Sequence, residues 1–221
     1  MGYMLTPGLS FALVGGRTVF LDLRKDRYFC LPATFEPAFL RLVDADIPTD
    51  ADTPALDALV CDGILEPVSG QGTITPFAPA FSPATSLLDG PRISVGAWRQ
   101  ARAAWALKRS QHELKSRRLS DLVTAVSGCR PEHEGSSHIS EDAYRICWAF
   151  ETAGLLVTPL RNCLSRSLAL ARNLRERGHA CDLLIGVAVN PFQAHAWVQA
   201  GDTVLNDRLE RVLQFVPVMA A

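Results

Sequence analysis

Apolar positions change their spacing along the chain, and each change predicts a different element. Leu9–Val14 and Arg17–Leu23 are short apolar-rich runs on either side of Gly15-Gly16. Glycine supplies φ > 0 without strain, so the pair predicts a two-residue β-hairpin turn. Arg24-Lys25-Asp26 turns the chain into a third run, Arg27–Leu31, with two aromatics. Spacing then becomes helical, at Phe35, Phe39, Leu42 and Val43 and again at Leu56, Leu59 and Val60, stopping at Gly63. Three strands and two or three helices predict a small α+β module, a size suited to binding more than to a catalytic cleft.

Beyond residue 92 the period is mainly helical. Candidates are Ser94–Arg118, Ser140–Val157 and Cys163–Arg177, the second ended by Thr158-Pro159 and the third by Gly178. Glu141 and Asp142 open the second, where the helix dipole favours anions. In the first, Val95, Trp98, Ala101 and Trp105 are expected to face the core, leaving its Lys and Arg residues as a solvated face. Strands follow at Cys181–Val189, Ala194–Gln199 and Val204–Asp207, with turns at Asn190-Pro191 and Gly201-Asp202.

Charge sharpens this division. Residues 1–67 hold ten acids against five Lys and Arg, whereas residues 92–118 hold eight Lys and Arg against Glu113 alone. Between them lies a stretch with Pro76, Pro79, Pro83 and Pro91, unsuited to a helix or an inner strand. The expected organisation is a first domain over 1–70, a Pro-rich linker over 71–92 and a second domain over 93–221. The 221 residues are 48% apolar and 20% charged, which excludes a disordered or low-complexity chain. A net charge of −1 argues against a nucleic-acid binder. No signal peptide or apolar run of about 18 residues is read, so a cytoplasmic protein without a membrane partner is expected.

The six Cys form no CxxC motif, and for five of them a buried, inert thiol is the expectation. Cys163 differs because it opens a helix, after Asn162 as a candidate N-cap. Helix-start N–H groups and the positive dipole end lower a thiol pKa and favour the nucleophilic thiolate. His195 lies mid-strand and Asp207 closes the next strand, so the two can stand side by side. The carboxylate would then orient the imidazole and the imidazole would face the thiol. Each residue alone is more often structural; their order and context carry the assignment. His133 and His138 are too loosely spaced for a metal site, and none is expected. His112 and His179 belong to no motif. No P-loop or GxGxxG occurs, so no cofactor is expected from this chain.

The runs N-C-L-x-R-S-L-A-L (Asn162–Leu170), R-G-H-A-C-x-L-x-I-G-V (Arg177–Val187), A-H-A-W-V (Ala194–Val198) and V-L-N-D (Val204–Asp207) resemble the transglutaminase-like cysteine peptidase domain of lasso peptide biosynthesis B proteins. The likeness is dense over about 160–210 and thinner before it. It implies a papain/transglutaminase-like fold with helices packed on an antiparallel sheet. It also implies removal of a leader from a ribosomally made precursor, commonly with Thr two residues before the cut. Cys163 matches the family's nucleophile, His195 its general base and Asp207 its orienting acid. Gln199 departs from the Glu that many relatives carry after H-A-W-V.

The segment D-x-R-x-D-R-Y-F-C-L-P (Asp22–Pro32), after a hairpin and before an apolar helix, is similar to the small PqqD-like precursor-recognition domain, a winged-helix-type α+β module. That likeness implies leader docking as an added strand along Arg27, Tyr28, Phe29, Cys30 and Leu31, with Leu56, Leu59 and Val60 in the groove. Tyr28 and Phe29 point to opposite faces, so one of them should be core. The family implies two partners, the precursor peptide and an asparagine-synthetase-like cyclase that forms the macrolactam and would carry any nucleotide dependence. Two other functions remain open on the sequence: an acyl transferase using the same triad, and a non-catalytic protein that delivers the precursor.

Overall fold

In the computed structural model, residues 2–70, 72–128, 139–157 and 162–221 are described. The chain divides into two units, Met1–Ala78 and Pro79–Ala221, and both helices and sheets make its class α+β.

The first unit runs β1 (Gly2–Leu5), β2 (Leu9–Val14), β3 (Arg17–Asp22), β4 (Arg27–Cys30), α1 (Glu36–Val43), α2 (Thr53–Cys61) and β5 (Leu65–Val68). Gly15 and Gly16 have φ of 55° and 75°, the conformation of the tight turn that lets Val14 pair with Arg17. The meander continues in the order β2-β3-β4, while β1 pairs antiparallel with β5. Alternation along β2 and β3 sends Phe11 and Phe20 inward, where they stack at 5.5 Å and meet Phe39 of α1 edge-on at 5.2 Å each. Phe29 of β4 stacks on Phe20 at 5.0 Å, so of the Tyr28–Phe29 pair it is Phe29 that faces the core. Asp52, at the start of α2, accepts the Thr49 N–H at 2.8 Å and the guanidinium of Arg41, tying α2 to α1.

The second unit begins with β6 (Thr85–Ser86) and a 3-10 turn at Leu87–Asp89. Four helices follow: α3 (Ala97–Ser116), α4 (Leu119–Ser127), α5 (Glu141–Val157) and α6 (Cys163–Arg175). The chain then forms β7 (Asp182–Ala188), β8 (Gln193–Ala200), β9 (Thr203–Val204), α7 (Leu209–Val212) and β10 (Val216–Ala220). The sheet order is β10-β7-β8-β9-β6, antiparallel except for the parallel β6–β9 pair. α6 lies against β7 and β8 and is contacted by α3, α4 and α5. No helix among the described residues is long and apolar enough to cross a membrane.

Several expectations are corrected. Residues 79–92 of the Pro-rich stretch fold within the second unit, because β6 needs only a short edge pairing, which its prolines leave free. Trp98 and Trp105 are 75% and 64% exposed. The buried stripe of α3 is Ala103, Leu107 and Ser110, on the helix that packs against α5 and α6. The third strand ends at Val204, so Asp207 sits in the bend before α7. Cys30 and Cys61 are exposed, whereas Cys147 and Cys181 are buried. Burial pushes the Cys181 thiol up to about 11 and that of Cys147 higher still, as inert thiols. Cys129, His133, His138 and the Thr158-Pro159 break lie outside the described residues.

Arg175 closes the lower end of the second unit. Its buried guanidinium donates to the carbonyls of Cys181 (2.9 and 2.5 Å), Val126 (2.6 Å) and Ala221 (2.6 Å). It thus joins α6 to the last turn of α4, to the entry of β7 and to the residue after β10. Methionine fills similar space but donates nothing, leaving buried carbonyls without partners at roughly 1–3 kcal/mol each. Arg175→Met should therefore lose about 3 kcal/mol or more. All four Trp (98, 105, 148, 197) lie in the second unit, so urea unfolding followed by tryptophan fluorescence reads that loss directly.

Candidate active site

The first turn of α6 carries the thiol. Asn162 occupies the N-cap position but its side chain makes no capping bond. The first-turn N–H groups are therefore not occupied by that side chain, and the Leu164 N–H is directed at Cys163. Ser165 Oγ and the Arg166 N–H both bond the Asn162 carbonyl, at 3.0 and 3.2 Å, fixing the turn in front of the thiol.

Strand β8 delivers the imidazole. His195 is 4% exposed, with Trp197 stacked at 6.2 Å and Phe215 at 4.9 Å. Across the sheet its partner is Gly186. A Cβ there would come within 2.8 Å of the Trp197 ring and 3.0 Å of Phe215, so the glycine is what lets both aromatics close around His195. His195 Nε2 meets Asp207 Oδ2 at 2.6 Å, which leaves Nδ1 for the thiol. The other Asp207 oxygen accepts the Arg208 N–H at 2.8 Å. The bend carrying Asp207 is held by the Pro-rich segment: Ser86 Oγ donates to the Asp207 carbonyl at 2.5 Å, and Asp89 accepts the Leu209 N–H at 3.3 Å.

Electrostatics follow from these contacts. Burial pushes the Cys163 thiol up, but the hydrogen bond and charge of His195 and the N–H groups of Ala196 and Leu164 outweigh it, and the thiol lies below its usual value. Burial likewise opposes the imidazolium, yet Asp207 and the thiolate hold His195 above the usual imidazole value. Asp207 is raised by burial and lowered more by His195, the Arg208 N–H and Arg211, ending below the carboxylate range. The three shifts favour thiolate, imidazolium and carboxylate together.

Cys163, His195 and Asp207 line one cavity of about 210 Å³, with Glu151, Arg166, Asn206, Arg208 and Arg211 on its walls. Arg166 bonds Glu151 at 2.6 Å and bridges α6 to α5. Its guanidinium lies 3.0 Å from where a side chain at Gly154 would begin. A larger hollow of about 320 Å³ between α3 and α6, lined by Trp98 and Trp105, has neither a cysteine nor a histidine in its lining. Among the described residues no cluster of three or more His, Cys, Asp or Glu could hold a metal ion.

The residues proposed for leader docking fare differently. Arg27, Tyr28, Phe29 and Cys30 form β4, whose outer edge has no strand neighbour among the described residues. Leu31, expected on the docking edge, follows β4 and is buried in the first unit's core. Leu56 and Leu59, expected in the groove, are buried there too and cannot line an open one, whereas Val60 is only partly buried. Residue types missed the cavity walls contributed by Glu151, Arg166 and Asn206. Arg166 and Asn206 stand inside the same short runs as Cys163 and Asp207, which is the signal that could have found them.

A family model for the Transglutaminase-like superfamily matches residues 96–220. Over 46 residues the chain is 46% identical to "Microcin J25-processing protein McjB" of Escherichia coli, a match spanning 21% of this chain and 22% of that protein. No solved structure matches. The family match takes in α3 through β10 and all three residues of the cavity's Cys-His-Asp array, more than half of the chain: this protein belongs to the transglutaminase-like superfamily.

Proposed function

We propose that the protein is a cytoplasmic cysteine peptidase of lasso peptide biosynthesis, which binds the leader of a precursor peptide and cuts it off before a partner cyclase closes the macrolactam. The observation that carries the chemistry is the array itself, a thiol, imidazole and carboxylate on one cavity with pKa shifts that favour their charged forms. The substrate class rests on the likeness to a relative named for processing Microcin J25 and on the four motif runs.

The thiolate of Cys163 attacks the scissile carbonyl carbon; the C–S bond forms and the oxygen takes the negative charge. Helix-start N–H groups of α6 stabilise that oxyanion. As the C–N bond breaks, His195 gives its proton to the leaving amine, and Asp207 holds the ring in place. Water then attacks the thioester, His195 takes its proton, and the C–S bond breaks to release the carboxylate. The first unit supplies recognition: β4 has a strand neighbour on one side only among the described residues, and an extended leader adds on the other as a fourth strand, beside the outward face of Tyr28 and Cys30.

Purified protein incubated with its precursor, the cyclase present, should release the free leader, and Cys163→Ala should slow this on the order of 10³-fold or more. Cutting by Cys163→Ala at the wild-type rate would sink the assignment, and an amide product instead of a free carboxylate would mark acyl transfer. Leader binding without any cutting, even with the cyclase, would point to a delivery protein. The pH profile has a worked sign. Cys163 is held low, so the nucleophile is lost as pH falls through a value below that of a free thiol. His195 is held high, so the proton donor is lost as pH rises through a value above that of free imidazole. Alkylation of Cys163 by iodoacetamide should show the acid limb, and His195→Asn should move it up to the free-thiol value of about 8.5 or beyond, since burial then acts with less opposition. Added leader peptide should slow hydrogen–deuterium exchange at the amides of 27–30; exchange unaltered at saturating leader would remove β4 as the docking edge.

A further inference from the structure

Each motif run that carries one member of the Cys-His-Asp array also carries a residue the chemistry does not use. Four residues beyond Cys163, on the same face of α6, is Ser167, whose side chain is completely buried. One and three residues beyond His195 are Ala196 and Val198, and one before Asp207 is Asn206. These four are joined in a continuous chain of hydrogen bonds. Ser167 Oγ donates to the Ala196 carbonyl at 2.9 Å. Asn206 Nδ2 donates to Ser167 Oγ at 2.9 Å, and Asn206 Oδ1 accepts the Val198 N–H at 2.8 Å.

The reason lies in the sheet. β9 pairs with β8 only at Gln199 and Ala200, so the edge of β8 at 196 and 198 runs past its strand neighbour. Buried backbone groups there must find other partners. The Val198 carbonyl takes the Leu205 N–H at 2.8 Å, and its N–H takes Asn206. The Ala196 N–H faces the Cys163 sulfur and its carbonyl takes Ser167. Ala196, the residue next to His195, is therefore held from α6 at two points, its N–H by the nucleophile and its carbonyl by the hydroxyl one turn behind it.

The geometry points to Ser167 and Asn206 as positioning residues of the catalytic array: their hydrogen-bond strap sets the separation of α6, β8 and the Asp207 bend, and so the approach of Cys163, His195 and Asp207 to one another. Among the described residues the hydrogen bonds of both side chains go to the Ala196 carbonyl, the Val198 N–H and each other, and not to the thiol, the imidazole or the Asp207 carboxylate. Loss of Ser167 Oγ frees the Ala196 carbonyl and lets helix and strand separate. A misplacement of about 1 Å costs roughly 100-fold in rate. The assignment rests on the peptidase reading for its rate effect but not for its effect on the thiol.

Ser167→Ala removes one buried oxygen and adds no bulk, and Asn206→Ala cuts the strap from the other side. In both, the acid limb of Cys163 alkylation should move up toward the free-thiol midpoint of about 8.5. With precursor as substrate, Ser167→Ala should lower kcat roughly 10- to 100-fold with KM within about twofold. Leu174→Ala, on the same helix but in the core three turns away, controls for stability: it should lower the unfolding midpoint while the alkylation limb stays in place. The proposal is overturned if both strap variants keep the wild-type limb, or if Leu174→Ala moves the limb as far as they do. A shifted limb in a protein that cuts no precursor would support the strap and defeat the peptidase reading, while normal cutting with unmoved limbs would do the reverse.

Discussion

An imidazole ring 4% exposed has given up nearly all the water that would stabilise its cation. Left alone in such a place, His195 would be neutral, Cys163 a thiol, and neither would serve a proton-coupled attack on a carbonyl. What reverses this is the 2.6 Å contact between His195 Nε2 and Asp207 Oδ2. It supplies the negative charge that holds the proton on the ring, and the protonated ring then lowers the thiol. The carboxylate is in turn kept ionised by the Arg208 N–H and by Arg211. Much of the second unit can be understood as a frame that keeps this contact short.

The frame reaches the contact from several sides. Gly186 lets Trp197 and Phe215 flank the ring, which fixes its plane and excludes solvent. Ser86 and Asp89 hold the bend from the Pro-rich side. Gln199 explains itself in the same terms: its amide nitrogen donates to the carbonyls of Phe81 and Gly201 at 2.9 and 2.7 Å, and its oxygen accepts from Trp197 at 3.2 Å. A Glu at this place would set a carboxylate against two carbonyl oxygens. Gln199 thus serves a structural pairing with residue 81 and the Gly201 turn.

The sequence was most informative where one local rule sufficed. Gly15-Gly16 announces a turn because few residues tolerate its dihedrals, and helix-opening Cys163, mid-strand His195 and Asp207 could be picked out by residue type, order and context. It misled where packing decides between two options of equal period. Trp98 and Trp105 are as regularly spaced on α3 as Ala103, Leu107 and Ser110, but it is the second stripe that the fold buries. Likewise Leu56 and Leu59 carry the spacing of a groove-lining face and are consumed by the first unit's core. β6 and β10 were missed because a two-residue parallel edge strand and a strand containing Pro217 have almost no local signature. α4 did carry one, with Leu119, Leu122, Val123 and Val126 at helical spacing, but it lies directly behind the long helix and merges with it.

The size of the cavity that holds Cys163, His195 and Asp207 bears on why a second unit is useful. About 210 Å³ lies below the range of roughly 300–1,000 Å³ typical of small-molecule sites. Such a cleft can seat a short extended stretch around one peptide bond and little more. Its walls are largely committed: Glu151 and Arg166 to each other, Asn206 to the strand, Asp207 to the imidazole. The contacts available there suit the reacting bond and offer little to tell one peptide from another. Selectivity for a long substrate must then come from contacts made away from the cut, where binding energy can place the bond without enlarging the cleft. The outer strand of a sheet provides such contacts along a backbone of any sequence, with side-chain alternation adding preference. On the proposed function, β4 in the first unit and the array in the second divide the work accordingly, one holding the leader and the other attacking the bond behind it.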